Sequence, residues 1–382
     1  MKFVIDSKVF KNICERLVTM LNKKYVFSVF RNLKIKCDTE SNSVEFVGMN
    51  NIFYGKIITD NIETIENGVG YINIEKLKYI YKITGMITIE VKNGEMIIYN
   101  SKKRSKIRME TVENYIFYGT ENRESFFVAN KQDVINTFSK LSCCLSNNDS
   151  HTVFTGFNIV HDNLNSRIIS CDSFKAMRKI VNWNFNLKKN IIIPGEFIKH
   201  FTKISANKIE ENVNVFTNGN YIWFMGSDYE FMVRLIYGNY PDVECNFDDN
   251  RFEFEFTTNA KGMYDISKEY YDILKQTNII PMYFYINNNK INTVIIADDF
   301  ITTDTIDFNS SYGLHNFYWA VRPQYIKEIM REFKNQMVTI YGGAKYFDIW
   351  KITDNNGYSA IICPVRVKDE DIKTIEKFLT DI

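Results

Sequence analysis

No run in the 382 residues approaches the roughly 18 consecutive apolar positions of a membrane-spanning helix, so a helical membrane protein is excluded. The opening Met1-Lys-Phe-Val-Ile-Asp-Ser-Lys-Val-Phe10 breaks its apolar residues with charge and offers no small-residue cleavage site. It does not read as a signal peptide, and a cytoplasmic protein with no membrane partner is expected. Phosphate-cradling and nucleophile-elbow patterns are missing too: there is no G-x-x-x-x-G-K-[ST], no G-x-G-x-x-G and no G-x-S-x-G. The four histidines, His151, His161, His200 and His315, stand isolated, with no second ligand at metal-binding spacing. Seven cysteines are scattered without a C-x-x-C, which suits reduced thiols and neither a disulfide framework nor a metal site. The adjacent Cys143 and Cys144 are expected to be small buried hydrophobes.

Two acidic pairs, Asp248-Asp249 and Asp298-Asp299, could in principle hold magnesium for a metal-dependent nuclease. Neighbouring carboxylates on a strand point to opposite sides, however, and solvated loop residues are the simpler reading. The expectation is no enzyme, no cofactor and no metal, with the nuclease kept as the alternative.

What is present is an ordinary globular composition, 45% hydrophobic and 24% charged with a net charge of +1, long enough for two or three domains. Three segments share one layout: Phe3-Val-Ile-Asp-Ser-Lys-Val-Phe10, Phe127-Val-Ala-Asn-Lys-Gln-Asp-Val134 and Phe256-Thr-Thr-Asn-Ala-Lys-Gly-Met263. Each is a short strand, a polar residue in capping position (Asp6, Asn130, Asn259) and a helical apolar pattern. A second set recurs at nearly the same period: Ile72–Ile80, Ile193–Phe201 and Val321–Ile329. Two sets of shared offsets point to a threefold repeat. Between these helices lie alternating or apolar runs such as Val44–Val47, Ile87–Val91, Ile222–Met225, Met282–Ile286, Thr293–Ala297 and Ile361–Cys363, which read as strands. Asn93-Gly94, Asn218–Asn220, Asn287–Asn289 and Asn355–Gly357 read as hairpin turns. The predicted fold is α+β, three similar domains (1–122, 124–248, 250–382), each with two helices and antiparallel sheets.

Charge is distributed unevenly over that scheme. The predicted helices 7–24, 74–83, 130–141, 194–207, 258–277 and 322–334 together carry +10 in a chain of +1, leaving the strands and loops acidic. Basic repeated helices can offer one positive face to phosphates. Without an aromatic base-reading cluster or zinc spacing, such binding would follow the backbone and ignore sequence.

The whole chain resembles the bacterial β sliding clamp, the processivity subunit of the replicative DNA polymerase III. The resemblance rests on Met1-Lys-Phe3, the threefold repeat, Gly238-Asn-Tyr-Pro-Asp242 and the terminal Ile361-Ile-Cys-Pro-Val-Arg-Val367. It implies the DNA-clamp fold and a homodimeric, head-to-tail ring with helices lining the bore. The partners it implies are duplex DNA, the replicative polymerase, the clamp loader and repair proteins. A divergent or mobile-element paralogue with altered partner peptides is the alternative within the family.

Carried over residue by residue, the resemblance places DNA contacts at Lys24, Asn148, Thr152, Val153, Arg322 and Tyr325. Lys76, Lys199 and Lys203 are further helix positions facing the bore. Glu75 falls where the family can carry Arg, and Thr152-Val153 replaces an aromatic pair. A hydrophobic pocket for short linear peptides with a Leu/Phe anchor would be lined by Phe154, Cys171, Ser173, Phe174, Lys175, Ala176, Pro241, Cys363, Pro364, Val365 and Arg366. Here Asp172–Ala176 departs from the family's D-[GS]-x-R-L by Lys for Arg and by a smaller last residue. The dimer seam would set Ile107 and Met109 against Ile273 and Leu274. Basic Lys102, Lys103, Arg104 and Lys106 would face acidic Asp298, Asp299, Asp304 and Asp307.

Overall fold

The computed structural model describes residues 1–21, 27–60, 62–110, 112, 122–161, 166–183, 185–186, 190–206, 212–274, 281–287, 290–297, 300–313, 317–343 and 345–380. The chain forms two compact units: residues 1–136 with 183–236, and residues 137–182 with 237–382. Every strand pairing described below is antiparallel.

The first unit holds two sheets. A five-stranded sheet runs in the order Glu63–Glu66, Lys2–Asp6, Met86–Lys92, Glu95–Tyr99, Arg104–Arg108. An eight-stranded sheet runs Glu124–Asn130, Asn212–Thr217, Tyr221–Met225, Tyr229–Arg234, Phe53–Thr59, Ser43–Met49, Asn32–Asp38, Gly68–Asn73. This second sheet crosses between two sequence repeats, because Phe53–Thr59 pairs with Tyr229–Arg234 from Phe53↔Val233 to Ile57↔Tyr229. The repeat boundary near residue 123 therefore does not interrupt the hydrogen-bonded ladder.

Helices α1 (Ser7–Val18), α2 (Leu77–Ile80, following a 3-10 turn at Ile74–Lys76) and α4 (Phe197–Ile204) belong to this unit, and α3 (Lys131–Leu141) begins in it. All three predicted caps form. Asp6 accepts from the Lys8 amide (2.7 Å), Asn130 from Gln132 (2.9 Å) and Asn259 from Lys261 (2.8 Å). Helix α1 ends at Val18 rather than at residue 24, and α4 and α5 (Ala260–Ile273) are likewise shorter than the apolar pattern suggested.

A buried cation locks α1 to α4. Arg16 is 4% exposed and donates from Nε to the Ile204 carbonyl (2.8 Å) and from Nη1 to Asp228 (3.0 Å). It closes a C-terminal carbonyl of α4 that no helical partner reaches. His200 lies beside it, its ring 4.4 Å from that of Phe53 and Nδ1 3.3 Å from the Thr19 hydroxyl. Burial, helped by Lys199, brings its pKa down to about 4.

The second unit repeats the plan. Eight of its strands run in the order Gly156–His161, Ser166–Cys171, Lys175–Val181, Tyr358–Ile362, Trp350–Thr353, Met337–Gly342, Phe254–Asn259, Phe308–Tyr312. A four-stranded sheet runs Ile301–Ile306, Lys290–Ile296, Met282–Asn287, Phe317–Val321. The longer sheet again crosses between repeats, Lys175–Val181 pairing with Tyr358–Ile362. Trp319 and Trp350 stack at 3.9 Å in the core, with Phe284 against both. A partly buried cation serves this unit too. Lys140 reaches Asp354 (3.3 Å) and sits 4.1 Å from the Phe333 ring of α6 (Pro323–Phe333). Burial lowers its pKa against the pull of Asp354.

Two expectations need correction. The third repeat carries a third helix, α7 (Asp369–Thr380), beyond the terminal strand. Of the cysteine pair, Cys144 is buried but Cys143 is only half-buried.

Candidate functional site

An apolar cluster gathers at one end of the second unit's longer sheet. Cys171, Ala176, Phe247 and Ile361 are buried in it, and Phe154, Tyr240, Val243 and Ile349 pack around them, only partly covered. The sequence explains the placement. The turn Asp172–Lys175 joins two strands, and the Asp172 carboxylate accepts from the amides of Phe174 (3.0 Å) and Lys175 (2.9 Å). Ser173 at its tip has φ +79°, a left-handed conformation that a small residue tolerates best. On the other side Gly238 has φ +152°, and a Cβ there would fall 2.7 Å from Val153 Cγ1. Only glycine lets that segment approach closely enough to lay the Tyr240 ring edge-on against Phe154 at 5.7 Å.

Lys175 lies beneath the turn, 4% exposed, paired with Asp172 (2.5 Å) and with Glu328 of α6 (3.3 Å). Burial opposes its charge, but the two carboxylates outweigh that and hold its pKa above a free lysine's. The group is a structural cation rather than a proton donor at neutral pH. Burial raises the Cys171 thiol to about 11, so it acts as an apolar wall and not as a nucleophile.

The structure thus brings together Phe154, Cys171, Lys175 and Ala176 of the expected pocket. Ser173 and Phe174 are exposed at its rim, as is Pro241 beside Tyr240. Cys363 is half-buried, and its amide donates to the Phe174 carbonyl at 2.8 Å. Pro364 is half-buried and Arg366 exposed. Val365 departs from the expectation: its amide bonds the Ala320 carbonyl, and its side chain packs with Tyr283 and Ala320 on the four-stranded sheet. Sequence reasoning missed Val243, Phe247 and Ile349. Tyr240 and Ile361 could have been found, since both lie inside the motifs already singled out.

The basic positions fall in several places. Lys199 and Lys203 are exposed on α4, in the same unit as the exposed Lys8 and Lys11 of α1. Lys76 instead lines an open groove of about 420 Å³ with Tyr79, Ser105, Lys106, Ile107 and Arg108, and its ammonium donates to the Arg108 carbonyl (3.2 Å). Asn148 is exposed and caps Ser150 (3.0 Å); Thr152 is exposed and Val153 half-buried. Tyr325 departs from the expected DNA contact: it is buried, with the exposed Phe174 stacked on it at 5.9 Å. The Arg322 guanidinium lies 6.0 and 5.9 Å from the two rings. Lys24 lies outside the described residues.

Of the seam positions, Arg104 and Lys106 are exposed on an edge strand whose Ile107 points inward, and Met109 is half-buried just beyond it. Ile273 is 43% exposed at the end of α5, while Leu274 is already buried at 7%. Asp298 and Asp299 lie outside the described residues. The other acidic pair is in structural use: Asp248 caps Asn250 and Asp249 pairs with Lys351.

Comparison with known proteins points one way. Residues 129–242 match the family model for the DNA polymerase III beta subunit, central domain. The beta sliding clamp of Lactococcus lactis is 20% identical over 96% of this chain and 99% of its own length. That of Staphylococcus aureus is 22% identical over 60% of this chain and 61% of its own. Among solved structures, the beta subunit from the DNA polymerase of Streptococcus pyogenes superposes with a TM-score of 0.89 at 18% identity. The DNA polymerase sliding clamp from Bacillus subtilis gives 0.87 at 15%; each is covered completely by 96% of this chain. With the repeated helices and ladders described above, residues 129–242 match the central domain of DNA polymerase III β subunits, and the whole chain has the fold of the bacterial β sliding clamps and is similar to them in sequence.

Proposed function

We propose that two copies of the chain close head to tail into a ring that encircles duplex DNA and tethers the replicative polymerase. Each copy would contribute three like domains, at residues 1–122, 124–248 and 250–382, and would serve in the cytoplasm as a scaffold without catalytic chemistry. The observation that carries this reading is a repeated rule of edge pairing. Twice the last strand of a meander in one repeat pairs with the last strand of a meander in another, Phe53–Thr59 with Tyr229–Arg234 and Lys175–Val181 with Tyr358–Ile362. Following the same rule, the remaining partners are Ile301–Ile306 and Arg104–Arg108, each an edge of its own sheet. Supplied by two copies, they form two seams that leave neither edge bare.

Side-chain chemistry at these edges supports the match. Arg104, Lys106 and Arg108 are exposed along one, and Asp304 and Asp307 lie on and just past the other. Ile273, with 43% of its surface exposed, is the apolar group still to be covered.

Inside such a ring the basic helices meet phosphates. Contacts through Lys199, Lys203, Asn148, Thr152, Arg322 and the neighbouring lysines would be to the backbone alone, with no base edge fixing the register, so the ring slides. The apolar cluster around Phe154, Cys171, Ala176 and Ile361, rimmed by Phe174 and Pro241, has the chemistry to take a Leu or Phe anchor from polymerase, clamp loader or repair proteins. Sedimentation tests the seam: the intact chain is expected at twice its 45.0 kDa mass. Ile273→Asp, a change at an exposed position that spares the fold, is expected to sediment as the monomer. An intact chain that remains a monomer at micromolar concentration would overturn the proposal.

A further inference from the structure

Helix α7 reaches the pocket at one remove. After Ile362 the backbone runs through Cys363–Lys368 without regular structure, yet two amides hold it. Cys363 donates to the carbonyl of Phe174 in the pocket turn, and Val365 donates to the carbonyl of Ala320 on the four-stranded sheet, each at 2.8 Å. Two hydrogen bonds of ordinary strength do not immobilise such a strap unaided. Further hold comes from the side chains that follow. Val365 and Val367 pack on the sheet's outer face together with Ile372, Ile375 and Leu379, which recur at helical spacing on α7. Ile375 is wholly buried over Tyr283, Val294 and Ala320. The hydroxyls of Tyr283 and Tyr318 donate to Asp371 and Glu376, fixing the helix along its length. A twelve-residue helix does not persist alone in water, so α7 keeps its form only while docked on the sheet face.

We propose that α7 is a positioning clip for the peptide pocket. By pinning Cys363–Val367 between Phe174 and Ala320 it fixes the wall made by Cys363 and the Asp172–Lys175 turn, and it raises affinity for a Leu/Phe-anchored peptide through preorganisation rather than contact. The inference rests on the pocket reading above.

The test compares the intact chain with Ile375→Asp, which expels α7, and with Ile375→Leu, which keeps it. A chain ending after Lys368 replaces the Asp variant if that fails to fold. Two quantities are read: exchange of the Cys363 and Val365 amides, and binding of a fluorescent peptide ending in Leu-Phe. In Ile375→Asp both amides are expected to exchange at least about tenfold faster and the peptide to bind at least about tenfold more weakly, with sedimentation unchanged. Ile375→Leu is expected to match the intact chain in both. Unchanged strap exchange in a variant whose α7 amides exchange freely overturns the proposal, as does unchanged affinity once the strap is loosened. Absence of peptide binding in the intact chain refutes the pocket reading, and the exchange comparison then decides alone whether α7 holds the strap.

Discussion

The five-stranded and the four-stranded sheets have similar apolar inner faces and opposite outer ones. Outward on the first stand Lys2, Thr88, Glu90, Glu95 and Lys106, half-buried or exposed, alternating with buried Phe3, Ile87, Ile89, Met96 and Ile107. Outward on the second stand Tyr283, Val294 and Ala320, each almost wholly buried beneath α7, while Phe284, Ile295 and Trp319 fill the core on the other side. The difference is visible in the strands themselves. Ile87-Thr-Ile-Glu-Val91 alternates, as a sheet with one wet face should; Met282-Tyr-Phe-Tyr-Ile286 and Val294-Ile-Ile296 run apolar, as strands covered on both faces do. A continuous run is thus a statement about what lies above the sheet, and here it requires a cover from elsewhere in the chain.

Substitutions at matched outward positions should separate the two sheets most widely. Val294→Asp puts a carboxylate under α7 and is expected to cost about 4 kcal/mol, whereas Thr88→Asp should stay within about 0.5 kcal/mol, both read from urea unfolding. Equal losses would erase the distinction between covered and open faces.

Acid should distinguish the two units next. His200 in the first unit has a folded pKa of about 4, below its unfolded value of about 6.5. The unfolded chain therefore takes up the proton first, and stability is lost as pH falls from 6.5 towards 4, by roughly 3 kcal/mol over the window. His200→Asn should flatten that part of a urea-midpoint profile. Lys140 in the second unit is also depressed, from the lysine range, so its contribution makes stability rise with pH in the alkaline range instead.

The smallest contrast is in hydroxyls. Tyr283→Phe removes the bond to Asp371 and should cost about 1 kcal/mol, while Tyr99→Phe on the open face of the first sheet keeps its ring under Arg104 and should cost close to nothing. A thermal-melting comparison of the pair checks it.

Much of this was legible in the residues. The capping positions Asp6, Asn130 and Asn259 and the Asn93-Gly94 turn (φ +52° and +75°) are local signals with local causes, and they form as expected. Tyr240 and Ile361, which lie inside the motifs that carried the resemblance, are themselves walls of the cluster that Phe154, Cys171 and Ala176 complete. Other features depend on distance along the chain. Phe247 and Val243 carry no pattern of their own; they join the apolar cluster beside Glu244, which Arg178 holds (2.8 Å) across 66 residues. Val365 lies on the other sheet, where it packs with the apolar face of α7 over Tyr283 and Ala320. Helix α7 went unread, although Asp369, Glu370 and Asp371 in its first turn and Ile372, Ile375 and Leu379 at helical spacing could have signalled it.

Retention on DNA tests the central claim most directly. Protein loaded on a nicked circular plasmid by the clamp loader should stay bound through high-salt gel filtration and should be lost when the plasmid is cut once, because enclosure and not affinity holds it. Loss from the uncut circle, or persistence on the linear form, would contradict the account.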